Sequence, residues 1–282
     1  MKVRKPAQAG AFYAGSKSQL EAQIRDCFLH ELGPKHLPQA SAKGERRIVA
    51  LVSPHAGYMY SGPVAASGYD RLATDGTPEA FIILGPNHSG LGSGISIMAE
   101  GRWQTPLGES LIESSIANLI CEHSSIIDVD DDAHAFEHSI EVQLPFLQYV
   151  YRPEIRFVPI CMMMQDLRTS VEVGEAIAKA AEGKDVVIIA SSDMTHYEPQ
   201  KSAEKKDRTA IDAILKLDEK ELQKVVESKN ISMCGYGPVS SAISYAKILG
   251  ASKANLLNYK TSGDITGDYD AVVGYASIAI SK

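Results

Sequence analysis

Ile48-Val-Ala-Leu-Val-Ser53-Pro54-His55 is the stretch that decides the fold. Its apolar residues run without alternation and several are β-branched, so the strand they form needs cover on both faces, as in a parallel sheet between helices. Pro54 cannot donate to a ladder and ends the strand, leaving His55 at its exit. The strand reading covers 47–53, and the same pattern recurs at 80–84, 155–160 and 186–190. Helical periodicity fills the intervals at about 63–73, 109–121, 169–181 and 203–217. An earlier helix is expected to open near Ser18, where Ser18-Gln-Leu-Glu21 reads as a capping box before Ile24 and Phe28, and to stop at Gly33-Pro34. Strand and helix alternate, which predicts an α/β fold with a central, mostly parallel mixed sheet and helices on both faces. Two late strands, 254–259 and 271–280, are separated by the turn residues Thr261-Ser-Gly-Asp264 and are expected to pair antiparallel at a sheet edge. No composition break divides the chain, so residues 1–282 are read as one domain.

The composition narrows the class. At 282 residues the chain can bury a sizeable core, and 44% hydrophobic with 22% charged residues is ordinary for a globular protein. The net charge of −7 and the lack of a basic cluster argue against a nucleic-acid partner. No apolar run is long enough to span a membrane. The start Met1-Lys-Val-Arg-Lys-Pro6 lacks a secretory signal, and Cys27, Cys121, Cys161 and Cys234 form no Cys-x-x-Cys pair. A reducing cytoplasm is the expected compartment.

In an open α/β sheet, ligands bind beyond the carboxyl ends of the strands, and here those ends share a chemistry. One is followed by Ser53-Pro-His55-Ala-Gly-Tyr58, another by Gly85-Pro-Asn87-His88-Ser-Gly90, and a third by Ser191-Ser-Asp193-Met-Thr-His196-Tyr197. Met233-Cys234-Gly235-Tyr236-Gly-Pro238 marks the start of a helix. A single loop histidine is more often merely solvated, and Cys234 taken alone reads equally well as a small buried residue. Asp193 taken alone could be a helix cap. Three imidazoles, a carboxylate and a thiol at neighbouring strand ends nevertheless form a set suited to zinc, iron or copper.

Other motifs carry less. His134 and His138 stand four apart, a spacing used by metal-binding helices, but His-Glu-x-x-His is absent and Ile140, Leu144 and Leu147 make this a packing helix. Asp128-Val-Asp130-Asp-Asp132 starts like a calcium loop, yet Ala133 and Ser139 occupy the positions that need Gly and Glu. Gly90-Leu-Gly92-Ser-Gly94 leads into strand-like 95–98 and is a turn, not a dinucleotide loop. His30, His36 and His123 are read as surface residues.

Taken together, several segments resemble the Memo family, whose microbial members are called AmmeMemoRadiSam system protein B. They are Pro6-Ala-Gln-Ala-Gly10-Ala-Phe-Tyr13, Pro54-His-Ala-Gly-Tyr58, Leu84-Gly-Pro-Asn-His88, Glu137-His-Ser-Ile-Glu141 with Leu144-Pro145, Ser191-Ser-Asp193 with His196, and Cys234-Gly235. The resemblance covers nearly the whole chain, although Ala14 stands where many microbial members have proline. That family is similar in fold to class III extradiol dioxygenases of the LigB type, which hold non-haem iron with two histidines and a glutamate.

The resemblance implies a metal site at His55, His88 and Cys234, with His196 as general base beside Asp193. It also implies that Glu137, His138, Tyr58 and Asn87 line the pocket or support the ligands. A cysteine in place of the carboxylate changes the preference among iron, copper and zinc, with iron expected first. The leading expectation is a redox-capable, dioxygenase-like centre acting on a small substrate. The alternatives are a non-enzymatic metal-carrying or adaptor protein that binds a small-molecule or peptide ligand, with radical SAM and AMMECR1-type partners, and a zinc hydrolase in which His196 or Glu137 activates water.

Overall fold

The structure is a computed structural model that describes residues 2–41, 43–151 and 155–282. Strand β1 (Val3–Arg4) and helix α1 (Lys17–Leu29) lead to β2 (Ile48–Ser53), α2 (Tyr58–Asp75) and β3 (Ala80–Pro86). The short strands β4 (Ile95–Ile97), β5 (Arg102–Thr105) and β6 (Gly108–Ile112) precede α3 (Ser114–Glu122), β7 (Asp128–Val129) and α4 (Leu144–Tyr151). Then come β8 (Arg156–Met162), α5 (Leu167–Ala180), β9 (Val186–Ser191), β10 (His196–Glu198), α6 (Gln200–Leu215), α7 (Glu219–Ser228) and α8 (Tyr236–Ile248). The pair β11 (Lys253–Thr261) and β12 (Val272–Ser281) is joined through the helical turn α9 (Gly263–Thr266).

The strands make one mixed sheet with a parallel centre in the order β6-β8-β3-β9-β2. The uninterrupted apolar runs are explained by what lies on either side. Ile82, Leu84, Val158, Ile160 and Ile188 pack into a core with residues of α3, α5, α6, α7 and α8. Phe81, Ile83, Phe157, Val187 and Ile189 face a second core with residues of α1, α2 and α4. Successive side chains of one strand therefore enter different cores, and both must be apolar. The α/β architecture expected from the alternation is the one observed.

Three local expectations are corrected. The stretch 109–121 is not one helix: residues 108–112 form β6, because the hairpin that pairs Thr105 with Gly108 carries them into the sheet beside β5 and β8. Gly108 turns that hairpin at a φ of 138°, open to glycine. Helix α1 starts at Lys17, with Ser16 at its cap position and no side-chain cap bond, and it ends at Leu29, ahead of Gly33. Strands β11 and β12 are antiparallel as expected, but β12 is interior: one side takes β11 along its length and the other takes β2. Because β12 runs antiparallel to β2 and extends past its end, its residues Val272 and Val273 pair with β10 and suspend His196 over the strand exits.

Candidate metal centre

The parallel strands set the rim. Ser53 pairs with Ser191, and Leu84 with Ala190, so β2, β9 and β3 finish at nearly one level. His55, His88 and Asp193 each lie two residues past the end of their strand (Ser53, Pro86 and Ser191) and so reach one mouth.

A further histidine arrives from the segment between β7 and α4. That segment contains two separate 3-10 turns, Asp132–His134 and Glu141–Gln143, in place of the expected continuous packing helix. Between them the Glu137 carboxylate takes the backbone N–H groups of His138 and Ser139 at 3.0 and 2.9 Å, donors that a helix would use internally. His134 and His138 consequently do not share a face. His134 is buried against Trp103, at a ring separation of 5.6 Å, and among the described residues neither ring nitrogen has a hydrogen-bond partner of good geometry. His138 turns toward the mouth.

His55, His88 and His138 form a cluster in which one donor atom from each lies within 4.8 Å of the others. The rings of His55 and His88 are 5.3 Å apart, those of His55 and His138 also 5.3 Å, and those of His88 and His138 stack at 4.4 Å. Phe12 covers His138 from the other side at 4.6 Å. His88 is the most open of the three, its side chain 36% exposed, whereas His55 is buried.

The hydrogen bonds on the far nitrogens decide what the cluster offers. Glu137 accepts from His88 Nδ1 at 2.9 Å, so that ring carries its proton on that side and presents a lone pair at Nε2, and the same carboxylate stands 3.3 Å from His138 Nδ1, where its charge favours the same tautomer. His55 Nδ1 lies 2.9 Å from the hydroxyl of Ser191. Burial lowers the basicity of His55 well below the ordinary histidine value and pushes His138 down to about 4. Neutral imidazoles of this kind are metal donors.

Two carboxylates at the site are shifted in opposite directions. Glu137 is buried, yet its many N–H partners, the His88 side chain foremost among them, hold it well below the usual carboxylate range. Asp193 accepts from the His55 amide at 2.8 Å, but burial outweighs that bond and pushes the group up to about 6.

Cys234 sits just ahead of α8, with Gly235 at the cap position. Its Sγ lies 3.1 Å from His55 Nε2 and accepts from the Asp193 amide at 3.2 Å. Burial, reinforced by the nearby Asp193 carboxylate, pushes the thiol up, so the sulfur carries its proton at neutral pH. Gly235 is required here, because a Cβ would meet the Ser191 carbonyl oxygen at 2.3 Å.

His196 stands across the mouth. Its backbone N–H donates to Ser232 Oγ at 2.7 Å, and its Nδ1 lies 2.9 Å from the Ser232 carbonyl. A carbonyl only accepts, so the neutral ring holds its proton on Nδ1 and keeps a lone pair on Nε2. His55, His88, His138, Asp193 and His196 all line one cavity of about 620 Å³, whose outer walls include Tyr60, Tyr197 and Tyr275.

Of the other expected site residues, Glu137 joins the cluster as an acceptor for the His88 imidazole and a charge beside that of His138. Tyr58 is turned into the core, where its hydroxyl donates to the Val142 carbonyl at 2.6 Å. Asn87 shapes its own turn, donating to Leu91 O and accepting from Ser89 and Gly90. The wall residues Phe12, Tyr60, Tyr197 and Tyr275 carried no signal beyond being aromatic. Phe12 and Tyr197 could have been found, inside the Gly10-Ala-Phe-Tyr13 and Ser191-to-Tyr197 segments quoted above. Among the described residues, no helix is long and apolar enough to cross a membrane.

The chain matches the Memo-like protein family over residues 4–279. It is 52% identical over 281 residues to the MEMO1 family protein MK0963 of Methanopyrus kandleri, with 99% of each chain covered. It is 49% identical to MTH_45 of Methanothermobacter thermautotrophicus, another MEMO1 family protein, over 98% of this chain and all of that one. In fold it is similar to an uncharacterised Escherichia coli K12 protein, JW3007, with a TM-score of 0.55 at 14% identity, covering 82% of this chain and 99% of that one. Agreement along nearly the full length, at about half of all positions, makes this chain a member of the Memo-like protein family.

Proposed function

We propose that the mouth holds one divalent transition-metal ion and that the protein is a redox-capable, LigB-like metalloprotein acting on a small substrate in the adjoining cavity. The observation that carries this reading is the convergence of three imidazoles, one donor atom of each within 4.8 Å of the others, with Glu137 holding the far nitrogen of His88. His55 and His88 are two of the ligands. Cys234 is the third in this reading, its sulfur 3.1 Å from His55 Nε2 although it stands outside the group of donor atoms that lie within 4.8 Å of one another. Two donors on one ion at about 2.0 to 2.3 Å each stand roughly 3 to 4 Å apart. A thiolate also brings the negative charge that imidazoles lack. His138 as third donor is a second reading, favoured by its place in the imidazole cluster.

Iron suits this donor set first, with copper and zinc as the alternatives. The ion would supply Lewis acidity and, if iron or copper, one-electron chemistry. The chain's own residues do the rest. Phe12 and Tyr60 flank the substrate space, and Asp193 fixes the His55 backbone. His196, its Nδ1 proton engaged by Ser232, accepts or returns a proton at Nε2.

The test is elemental analysis of protein purified without oxygen, together with the variants His55→Ala, His88→Ala, Cys234→Ser, His138→Ala and His196→Ala. Metal content should collapse in the first three and persist in the last two. Loss in His138→Ala with retention in Cys234→Ser would establish the all-imidazole site. Retention in every variant would end the metal reading. Against an oxidisable substrate, His196→Ala should lose about 100-fold or more in rate with the metal retained.

A further inference from the structure

The Glu137 charge 3.3 Å from His138 Nδ1 favours the Nδ1–H form there, and His88 and His196 each have an acceptor-only group at hydrogen-bond distance from Nδ1, which settles their tautomer. His55 does not: its Nδ1 faces a hydroxyl, which can either give or take a hydrogen bond. We propose that Ser191 and Gln143 act together as positioning residues that lock His55 in the Nδ1–H tautomer and so present its Nε2 lone pair to the mouth. The purpose of the lock rests on the metal-centre reading above, but its geometry does not.

The argument is a count of protons. Ser191 Oγ has three neighbours, at 2.6 Å from the Ser139 carbonyl oxygen, 2.7 Å from Gln143 Nε2 and 2.9 Å from His55 Nδ1. A hydroxyl owns one proton, and a carbonyl oxygen can only accept, so that proton goes to Ser139. The two lone pairs of Ser191 must then face donors. Gln143 is one donor if its amide is oriented with Nε2 toward Ser191.

That orientation is itself fixed. The same Nε2 donates to the Pro54 carbonyl at 3.0 Å, and Oε1 accepts from the Tyr69 hydroxyl at 2.6 Å. Flipping the amide would set Oε1 against the Pro54 carbonyl, acceptor against acceptor, inside a buried site. With Gln143 donating, the remaining neighbour of Ser191 is His55, whose Nδ1 must carry the hydrogen. Ser191, Gln143 and Tyr69 are all buried, so no water competes for these positions. The Cys234 thiol, 3.1 Å from Nε2, faces the lone pair this tautomer leaves. His88 is set by a carboxylate that also stands beside His138, whereas His55 is set by neutral groups alone.

The experiment is long-range ¹⁵N–¹H correlation on metal-free, ¹⁵N-histidine-labelled protein near neutral pH, with the His55 signals identified by their loss in His55→Ala. Wild-type His55 should show the Nδ1–H pattern alone. Ser191→Ala removes the acceptor and should bring in the Nε2–H pattern, together with a metal affinity lower by about 10- to 100-fold. Gln143→Leu frees the Ser191 hydroxyl to turn and should give a smaller change in the same direction. An Nε2–H pattern in the wild type overturns the proposal even if neither variant folds. So does an unchanged spectrum in a folded Ser191→Ala protein. Full metal retention in His55→Ala, with wild-type His55 still in the Nδ1–H form, would leave the lock standing and remove only the metal-centre reading.

Discussion

Glu137 and Asp193 are buried carboxylates on the same mouth, and their surroundings drive them in opposite directions. Glu137 takes four N–H hydrogen bonds, from the His88 amide and ring and from the His138 and Ser139 amides, and stays ionised. Asp193 is similarly removed from water, but its principal bonds come from backbone amides of the 55–56 turn, and burial prevails. The number of donors aimed at the group separates the two, since both lose their hydration. The charge of Glu137 orients His88 and His138, and Asp193 ties the His55 backbone.

The comparison breaks most visibly at Glu137. Glu137→Ala leaves those N–H groups facing a void, and the expected cost is about 4 kcal/mol of folding stability with a metal affinity at least about 100-fold lower. Denaturant unfolding and metal titration measure the two effects.

Asp193 gives the next effect, and it has a sign. In the metal-free protein its pKa rises from an ordinary 3.8 to about 6, so the native state holds the proton more tightly than the unfolded chain. Its stabilising contribution is therefore full below pH about 4 and is lost as pH rises through about 6, for a total of about 3 kcal/mol. Asp193→Asn preserves the acceptor for His55 and should erase that slope. An unaltered pH profile in urea unfolding would show that Asp193 does not hold the proton.

The smallest effect is at His134, the imidazole the cluster leaves out. Burial pushes it down to about 4, and among the described residues neither ring nitrogen has a partner of good hydrogen-bond geometry. His134→Phe should be neutral or stabilising by about 1 kcal/mol, because an unsatisfied polar ring is replaced by an apolar one beside Trp103. The variant should also unfold less readily below pH about 6.5, where wild-type His134 gains a proton on unfolding and its stabilising contribution fades as pH falls through about 4. Thermal unfolding at pH 5 and pH 7.5 reads both effects.

The sequence was most legible where one cause dominates. Runs such as Ile48 to Val52 admit little but a strand covered on both faces, and the histidines two residues past such strands follow from the same reading. His138 was harder to place. Its four-residue spacing from His134 suggests a common helical face, and only the capture of local amides by Glu137 breaks that helix and turns the rings apart. Strand β6 was hidden in a stretch with helical spacing, because pairing with β5 and β8 is a distant decision that local periodicity does not record. Of the cavity-wall tyrosines, Tyr275 is placed by the overhang of β12 and Tyr197 by the 196–198 strand, and no spacing signals either.

The contact between His55 and Cys234 spans 179 residues of chain, and His88 and Glu137 meet across 49. A nascent or unfolded chain therefore offers each donor almost alone, and a stray ion finds no multidentate grip until the sheet has closed. On the metal-centre reading proposed above, binding that discriminates so strongly between the two states would add its full mass-action term to the native one, and cellular supply of the ion would set how long the finished molecule survives proteolysis.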